Sequence, residues 1–246
     1  MSDARTILVT GASQGIGLAT ARVFAGAGWR VVMAARSAEK LTGEAAALGA
    51  TSVPTDVADP ASVGRLFERI AADHGRLDAV FNNAGVNVPP TEPGDLDFAG
   101  WRSVISVNLD GAFLIASAAF RMMKAQDPQG GRIINNGSIS AHAPRPGSVA
   151  YTTSKHAITG LTKTIALDGR PHRIACGQID IGNAQSEMAA RLGEGTPQAD
   201  GSIRAEPLMD VTHVAEAVLA MASLPLESNI LFQTIMATNM PFVGRG

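Results

Sequence analysis

The chain is poor in cysteine, in tyrosine and in charge. Cys176 is its single cysteine, so no internal disulfide can form, which fits a reducing compartment. Charged residues make up 17% of 246, aromatic residues 4%, and the formal charge is −2. With no run of Lys or Arg there is no electrostatic footprint for nucleic acid. The Arg170, His172 and Arg173 cluster reads as a solvated loop between elements. No apolar run approaches the ~20 residues that a membrane helix needs. Met1-Ser2-Asp3-Ala4-Arg5 leads straight into an apolar strand pattern and lacks a signal-peptide layout. His74, His142, His156, His172 and His213 show no zinc-site spacing, so no metal is expected. These absences leave a cytoplasmic protein whose 46% hydrophobic share supplies a substantial core.

Short apolar runs alternate with amphipathic stretches. Strands are expected at Thr6–Val9, Arg30–Ala35, Thr51–Thr55, Ala79–Asn82, Arg132–Asn135, Ile174–Ile179 and Ile230–Met236. Helical stretches lie near Gly15–Ala27, Ala38–Leu48, Ala61–Asp73, Phe98–Lys124, Ser148–Leu167 and Thr212–Ser223, with Gly28, Gly49 and Gly75 at expected helix ends. Such alternation predicts one α/β domain spanning 1–246, a Rossmann-like doubly wound fold with a mainly parallel seven-stranded sheet and helices on both faces. Gly193–Asp200 breaks the rhythm and reads as a mobile excursion.

After the first strand, Thr10-Gly11-Ala12-Ser13-Gln14-Gly15-Ile16-Gly17 opens a helix. Small residues there let backbone N–H groups approach a pyrophosphate, to which the helix N-terminus adds partial positive charge. The bland alternative is a tight turn with glycines for backbone geometry alone. At the end of the second strand, Ala34-Ala35-Arg36-Ser37 offers no acid for an adenosine ribose but one arginine for a 2′-phosphate. Ser13 could add a hydroxyl to the same phosphate. NADP is therefore expected, with NAD as the alternative.

Tyr151 is the only tyrosine, and Lys155 follows it at helical spacing, so both can point into one cleft. A cation near the phenol oxygen would favour phenolate, each unit of pKa lowering requiring about 1.4 kcal/mol of such preference. Taken alone, the pair more often means a half-buried Tyr and a solvated Lys.

The ordered set Thr10–Gly17, Asp56-Val57, Asn82-Asn83-Ala84-Gly85, Asn108, Ser138 and Tyr151-Thr152-Thr153-Ser154-Lys155 resembles the short-chain dehydrogenase/reductase family over nearly the whole chain. The resemblance implies that Asp56 and Val57 meet the adenine and that Asn83, Ala84 and Gly85 support the cofactor. It also implies a catalytic set: Ser138 holds the substrate oxygen, Tyr151 exchanges its proton, and Lys155 assists and binds the nicotinamide ribose. Asn108 would organise a water near Lys155. Without the resemblance these are an ordinary loop acid, a turn, a turn hydroxyl and a buried helix amide.

Two segments depart from the family pattern. Gln178-Ile179-Asp180-Ile181-Gly182-Asn183-Ala184-Gln185-Ser186 keeps Gly182 but has Ile181 where a proline is usual. Ser186 is the expected carboxamide partner, and Asp180 is an unusual acid close to the cofactor or a turn cap. The tail beyond Met236 carries Met240 and Phe242, which would pack on a neighbouring subunit or on the chain's own core. A lid at about 186–207, with Met188, Leu192 and Ile203, suggests an apolar substrate lining, while His142 and Arg145 could meet a polar or anionic one. The expected activity is reduction of a small-molecule ketone or aldehyde, or oxidation of the corresponding alcohol, by a homodimer or homotetramer. A cofactor-binding regulatory protein without turnover, and an isomerase using transient hydride transfer, are the alternatives.

Overall fold

The computed structural model describes residues 4–186 and 195–243. In chain order the elements are β1 (Thr6–Thr10), α1 (Gly15–Gly26), β2 (Arg30–Ala35), α2 (Ala38–Leu48), β3 (Thr51–Pro54), α3 (Pro60–His74) and β4 (Ala79–Asn82). Then come α4 (Phe98–Ile105), a π-helical turn (Ser106–Gly111), α5 (Ala112–Ala125), β5 (Gly131–Asn136), a short 3-10 turn (Ile139–Ala141) and α6 (Val149–Asp168). After β6 (Ile174–Gly182) a small antiparallel pair, β7 (Thr196–Pro197) and β8 (Ile203–Arg204), precedes α7 (Val211–Ser223) and β9 (Phe232–Met236).

Seven strands pair in the order β3-β2-β1-β4-β5-β6-β9, and every pairing is parallel. Parallel strands need crossover helices, and helices on both faces bury both sides of the central strands, while the edge strands β3 and β9 stay partly exposed. The side chains divide accordingly. Ile7, Val9, Val31, Met33, Ala79 and Phe81 join one core beneath α1, α2 and α7. Leu8, Val32, Ala34, Val80 and Ile133, the alternate positions, join a second core beneath α3 and α5. The fold class read from the sequence is the one observed.

Local chemistry sets the helix ends. Asp59 accepts hydrogen bonds from the N–H groups of Ala61 and Ser62, with Pro60 at the first helical position, and Gly75 ends α3 at φ 71°. Gly49 closes α2 at φ 62° in the left-handed region. Gly28 falls one residue beyond Ala27, the cap of α1, and has φ 79°.

Three expectations are corrected. β6 runs to Gly182 rather than Ile179, because residues 180–182 pair with Thr234–Met236 of β9; Asp180 is therefore a strand residue. The helical stretch from Phe98 contains a π turn at Ser106–Gly111, so Asn108 sits in a widened turn rather than a regular helix. That same stretch, Phe98–Ala125, is long and apolar enough by length and composition to cross a membrane, although no such run was expected. It instead packs on α3 and the sheet, burying Ile115, Ala116, Ala119 and Met123. The tail turns back on its own chain, with Met240 and Phe242 packed beside Ile139, Met209 and Met236.

Candidate active site

The chain reverses its direction across the sheet between β1 and β4. At the carboxyl ends of the strands there, where open α/β sheets bind ligands, lies a cavity of about 470 Å³. Its floor is held by side chains that lace three strand ends together. The Thr10 hydroxyl accepts from the backbone N–H groups of Asn83 and Ala84, both at 2.9 Å. Asn83 Nδ2 donates to the Thr10 carbonyl at 2.9 Å, and Asn136 Nδ2 donates to Asn83 Oδ1 at 2.7 Å.

The glycine turn forms one wall. Gly11 and Gly15 have φ 65° and 53°, a region that strains any residue with a Cβ. A Cβ on Gly17 would collide with the Gly11 carbonyl and come within 2.8 Å of Asn83 Nδ2. Ser13, Gln14 and Ile16 line the same wall, and Gln14 accepts from Lys40 Nζ at 2.9 Å. Arg36 and Ser37 line the end beyond β2; Asp56, Val57, Ala84 and Gly85 line the adjoining edge. Asp56 Oδ1 also accepts from the Ala58 N–H at 3.0 Å. Ser186 lies across the glycine turn, its Cβ 3.3 Å from where a Gly15 Cβ would be. A backbone kept bare of Cβ atoms at a helix N-terminus fits a dinucleotide pyrophosphate.

Ser138, Tyr151 and Lys155 line the inner end of the cavity. Ser138 follows β5; its Oγ accepts from the Ser140 N–H at 3.1 Å. Tyr151 and Lys155 occupy one face of α6, whose start is fixed by Ser148, bonded to the Arg145 carbonyl at 2.7 Å and to Thr152 Oγ1 at 2.8 Å. Burial raises the Tyr151 phenol pKa above its ordinary value; the Ser138 hydroxyl, in hydrogen-bonding reach, and the nearby Arg145 guanidinium pull in the opposite direction. Lys155 is buried and its pKa is lowered to about 8, chiefly by burial and partly offset by the negative charge of Asp180. The expectation that Lys155 makes the phenol more acidic is therefore not met in this state. Its Nζ lies 5.5 Å from the tyrosine ring centre and donates instead to the Asn136 carbonyl at 2.7 Å.

Two expected site residues do not line the cavity. Asn108 is buried behind it: Oδ1 accepts from the Val86 N–H at 2.8 Å, and Nδ2 donates to the Val86 carbonyl at 2.9 Å and to Ser154 Oγ at 3.3 Å. Gly182 ends β6 against Met236 and Met240, where a Cβ would lie 2.8 Å from Met236 Cβ and 2.7 Å from Met240 Sδ. Of the expected lid, Met188 and Leu192 lie outside the described residues, and Ile203 is exposed on β8.

His142 and Arg145, expected near the substrate, are bonded to acids that no expectation linked to them. His142 Nε2 is 2.8 Å from Asp180 Oδ2. Arg145 lines the cavity and pairs with Glu206 Oε2 at 2.6 Å, while Asn183 Nδ2 and Gln198 Nε2 donate to the same carboxylate. Burial pushes the Glu206 pKa up, but these bonds and the Arg145 charge hold it below its usual range. Among the described residues no three His, Cys, Asp or Glu side chains cluster to hold a metal ion.

Fold and cavity together define an α/β protein with a nucleotide-sized site at its topological switch point. Residues 5–197 match the family described as short chain dehydrogenase. The chain is 36% identical over 204 residues to D-threitol dehydrogenase of Mycolicibacterium smegmatis, covering 80% of this chain and 76% of that one. It is 29% identical over 243 residues to sulfoacetaldehyde reductase 2 of Chromohalobacter salexigens, covering 97% and 95%. The 3-ketoacyl-(acyl-carrier-protein) reductase of Brucella melitensis, solved with NADH, superposes with a TM-score of 0.84 at 22% identity, covering 94% of this chain and 96% of that one. The chain belongs to the short-chain dehydrogenase family. It is an oxidoreductase of the kind that interconverts C–OH and C=O groups.

Proposed function

We propose that the protein is an NADP-favouring oxidoreductase that reduces a small-molecule ketone or aldehyde, or oxidises the corresponding alcohol, with Tyr151 as general acid and base. What supports this most is that Ser138, Tyr151, Lys155 and the Gly11–Gly17 turn line one cavity. The turn and the N-terminus of α1 would hold the pyrophosphate, Asp56 and Val57 the adenine, and Ser186 the carboxamide. Arg36 and Ser13 would take a 2′-phosphate, since β2 ends with no acid to hold a ribose hydroxyl. When bound, the cofactor supplies the hydride.

This chain's own residues would manage the oxygen. Ser138 donates a hydrogen bond to the carbonyl oxygen, and Tyr151 gives that oxygen a proton as it gains charge. A phenol kept protonated by burial is in the form that donates a proton to the oxygen. Lys155 then supports proton return, and Asn108 holds Val86 and Ser154 so that the walls keep their shape. Exposed Phe98 and Phe113 on the α4–α5 side support pairing with a second copy, which light scattering would check.

A titration with NADPH and NADH, followed by a ketone and aldehyde panel with the tighter one, tests the reading. Cofactor oxidation that tracks an added carbonyl is expected; binding of neither cofactor, or no turnover on any carbonyl, would overturn it.

A further inference from the structure

Asp180 is the buried acid that neither the glycine turn nor the Ser138–Tyr151–Lys155 set requires. It is 1% exposed, and both its oxygens are engaged. Oδ1 accepts from the Ser138 backbone N–H at 3.0 Å and from Gln178 Nε2 at 2.7 Å; Oδ2 lies 2.8 Å from His142 Nε2. His142 is half exposed and stacks edge-on to Phe242 of the tail, so it closes the carboxylate off from solvent.

Three consecutive residues link this acid to the reacting groups. Asn136 accepts from Lys155 through its carbonyl, Gly137 has no side chain, and Ser138 donates its N–H to Asp180. Gly137 is bare for a reason: a Cβ there would fall on Asp180 Oδ1 and come within 2.7 Å of Gln178 Nε2. The carboxylate therefore sits against the backbone whose two ends carry the Lys155 contact and the Ser138 hydroxyl. A charge so deeply placed costs much to desolvate unless it is paired and bonded, and three donors meet that need here.

We propose that Asp180 is a positioning residue of this site: its buried carboxylate fixes Ser138 through the backbone N–H, and from across the Asn136–Ser138 backbone it sets the electrostatic surroundings of Lys155. The assignment rests on the reading above for what Ser138 and Lys155 do. The ionisable groups around Lys155 are Tyr151 from its own helix and Asp180 from β6, with Arg145 from the loop before α6 acting on Tyr151. Behind them stand His142 on Asp180 and Glu206 on Arg145. Of these only Asp180 raises the lysine pKa, against burial.

Asp180→Asn isolates the charge, because the amide oxygen can still accept from Ser138 and Gln178 while its NH₂ faces His142 Nε2, which accepts in the neutral tautomer. The chain's lysines are Lys40, Lys124, Lys155 and Lys163, so ¹³C labelling at lysine Cε gives few signals, and Lys155→Met identifies the one that matters. In the unaltered protein the Lys155 signal is expected to titrate near pH 8. In Asp180→Asn its midpoint should fall by on the order of one unit, the effect of losing a close opposite charge. Asp180→Ser should move it the same way, and the other three lysines should stay where they were. Unchanged Lys155 midpoints in the folded variants would overturn the assignment. The titration needs no turnover. A shifted midpoint in a protein inactive on every carbonyl would sink only the oxidoreductase reading, and turnover with an unshifted midpoint only this one.

Discussion

Lys155 points its ammonium at the Asn136 carbonyl, 2.7 Å away, and not at the oxygen of Tyr151. A buried lysine bonded to one carbonyl is poorly solvated, which is why its pKa lies at about 8 instead of the ordinary 10.5. The sign of the consequence for folding follows. A base with a lowered folded pKa destabilises the fold while it is charged: the cost is fully present below about pH 8 and fades as pH rises toward 10.5. The size is on the order of 3 kcal/mol at neutral pH. Lys155→Met should therefore melt higher than the parent at pH 7, and the gap should narrow as pH rises from 8 to 10.5. Paired calorimetry across that range checks it; a variant that melts lower at pH 7 contradicts it.

On the proposed reading, cofactor choice turns on Arg36 at the end of β2. Arg36→Glu exchanges a phosphate partner for a ribose-hydroxyl acceptor, so NADPH affinity should fall by about tenfold or more while NADH affinity holds or improves. Fluorescence titration with both cofactors reads this directly. A parent protein that prefers NADH by about tenfold would remove Arg36 from the role.

Gly137 is where the fold and the site share a constraint. Gly137→Ala would drive a methyl into the Asp180 carboxylate and to 2.7 Å from Gln178 Nε2, displacing both. A loss of about 1–3 kcal/mol in stability is expected, as for other overpacked interiors. Denaturant unfolding checks it; Gly160→Ala, where nothing lies within 4 Å of the new Cβ, is the control that should not lose stability in this way.

The alternation of apolar runs and amphipathic stretches made the sheet and both helix layers legible, because strands buried on both faces read as short continuous apolar runs while one-sided helices show a 3.6-residue period. Gly11, Gly15 and Gly17 were legible as a close turn opening α1, because positive φ at the first two and close backbone approach at the third demand the absence of a Cβ. The spacing of Tyr151 and Lys155 was legible as a shared helix face. The lysine's actual partner was not, since the acceptor is a backbone carbonyl that every residue carries. The extension of β6 through Gly182 was hidden as well: Asp180 and Gly182 resist a strand pattern, and only pairing with Thr234 and Met236 fixes them there. The Arg145–Glu206 pair joins residues far apart in the chain, which no local pattern records.

The central claim is that Tyr151 transfers the proton. Tyr151→Phe keeps the ring and removes only the hydroxyl, so cofactor affinity should stay within a few-fold while turnover of the best carbonyl falls by about 10²–10⁴-fold. Steady-state rates for the parent and Tyr151→Phe, measured side by side with matched cofactor saturation, give that ratio. A variant that retains turnover within about threefold of the parent would contradict the assignment of Tyr151 as the acid.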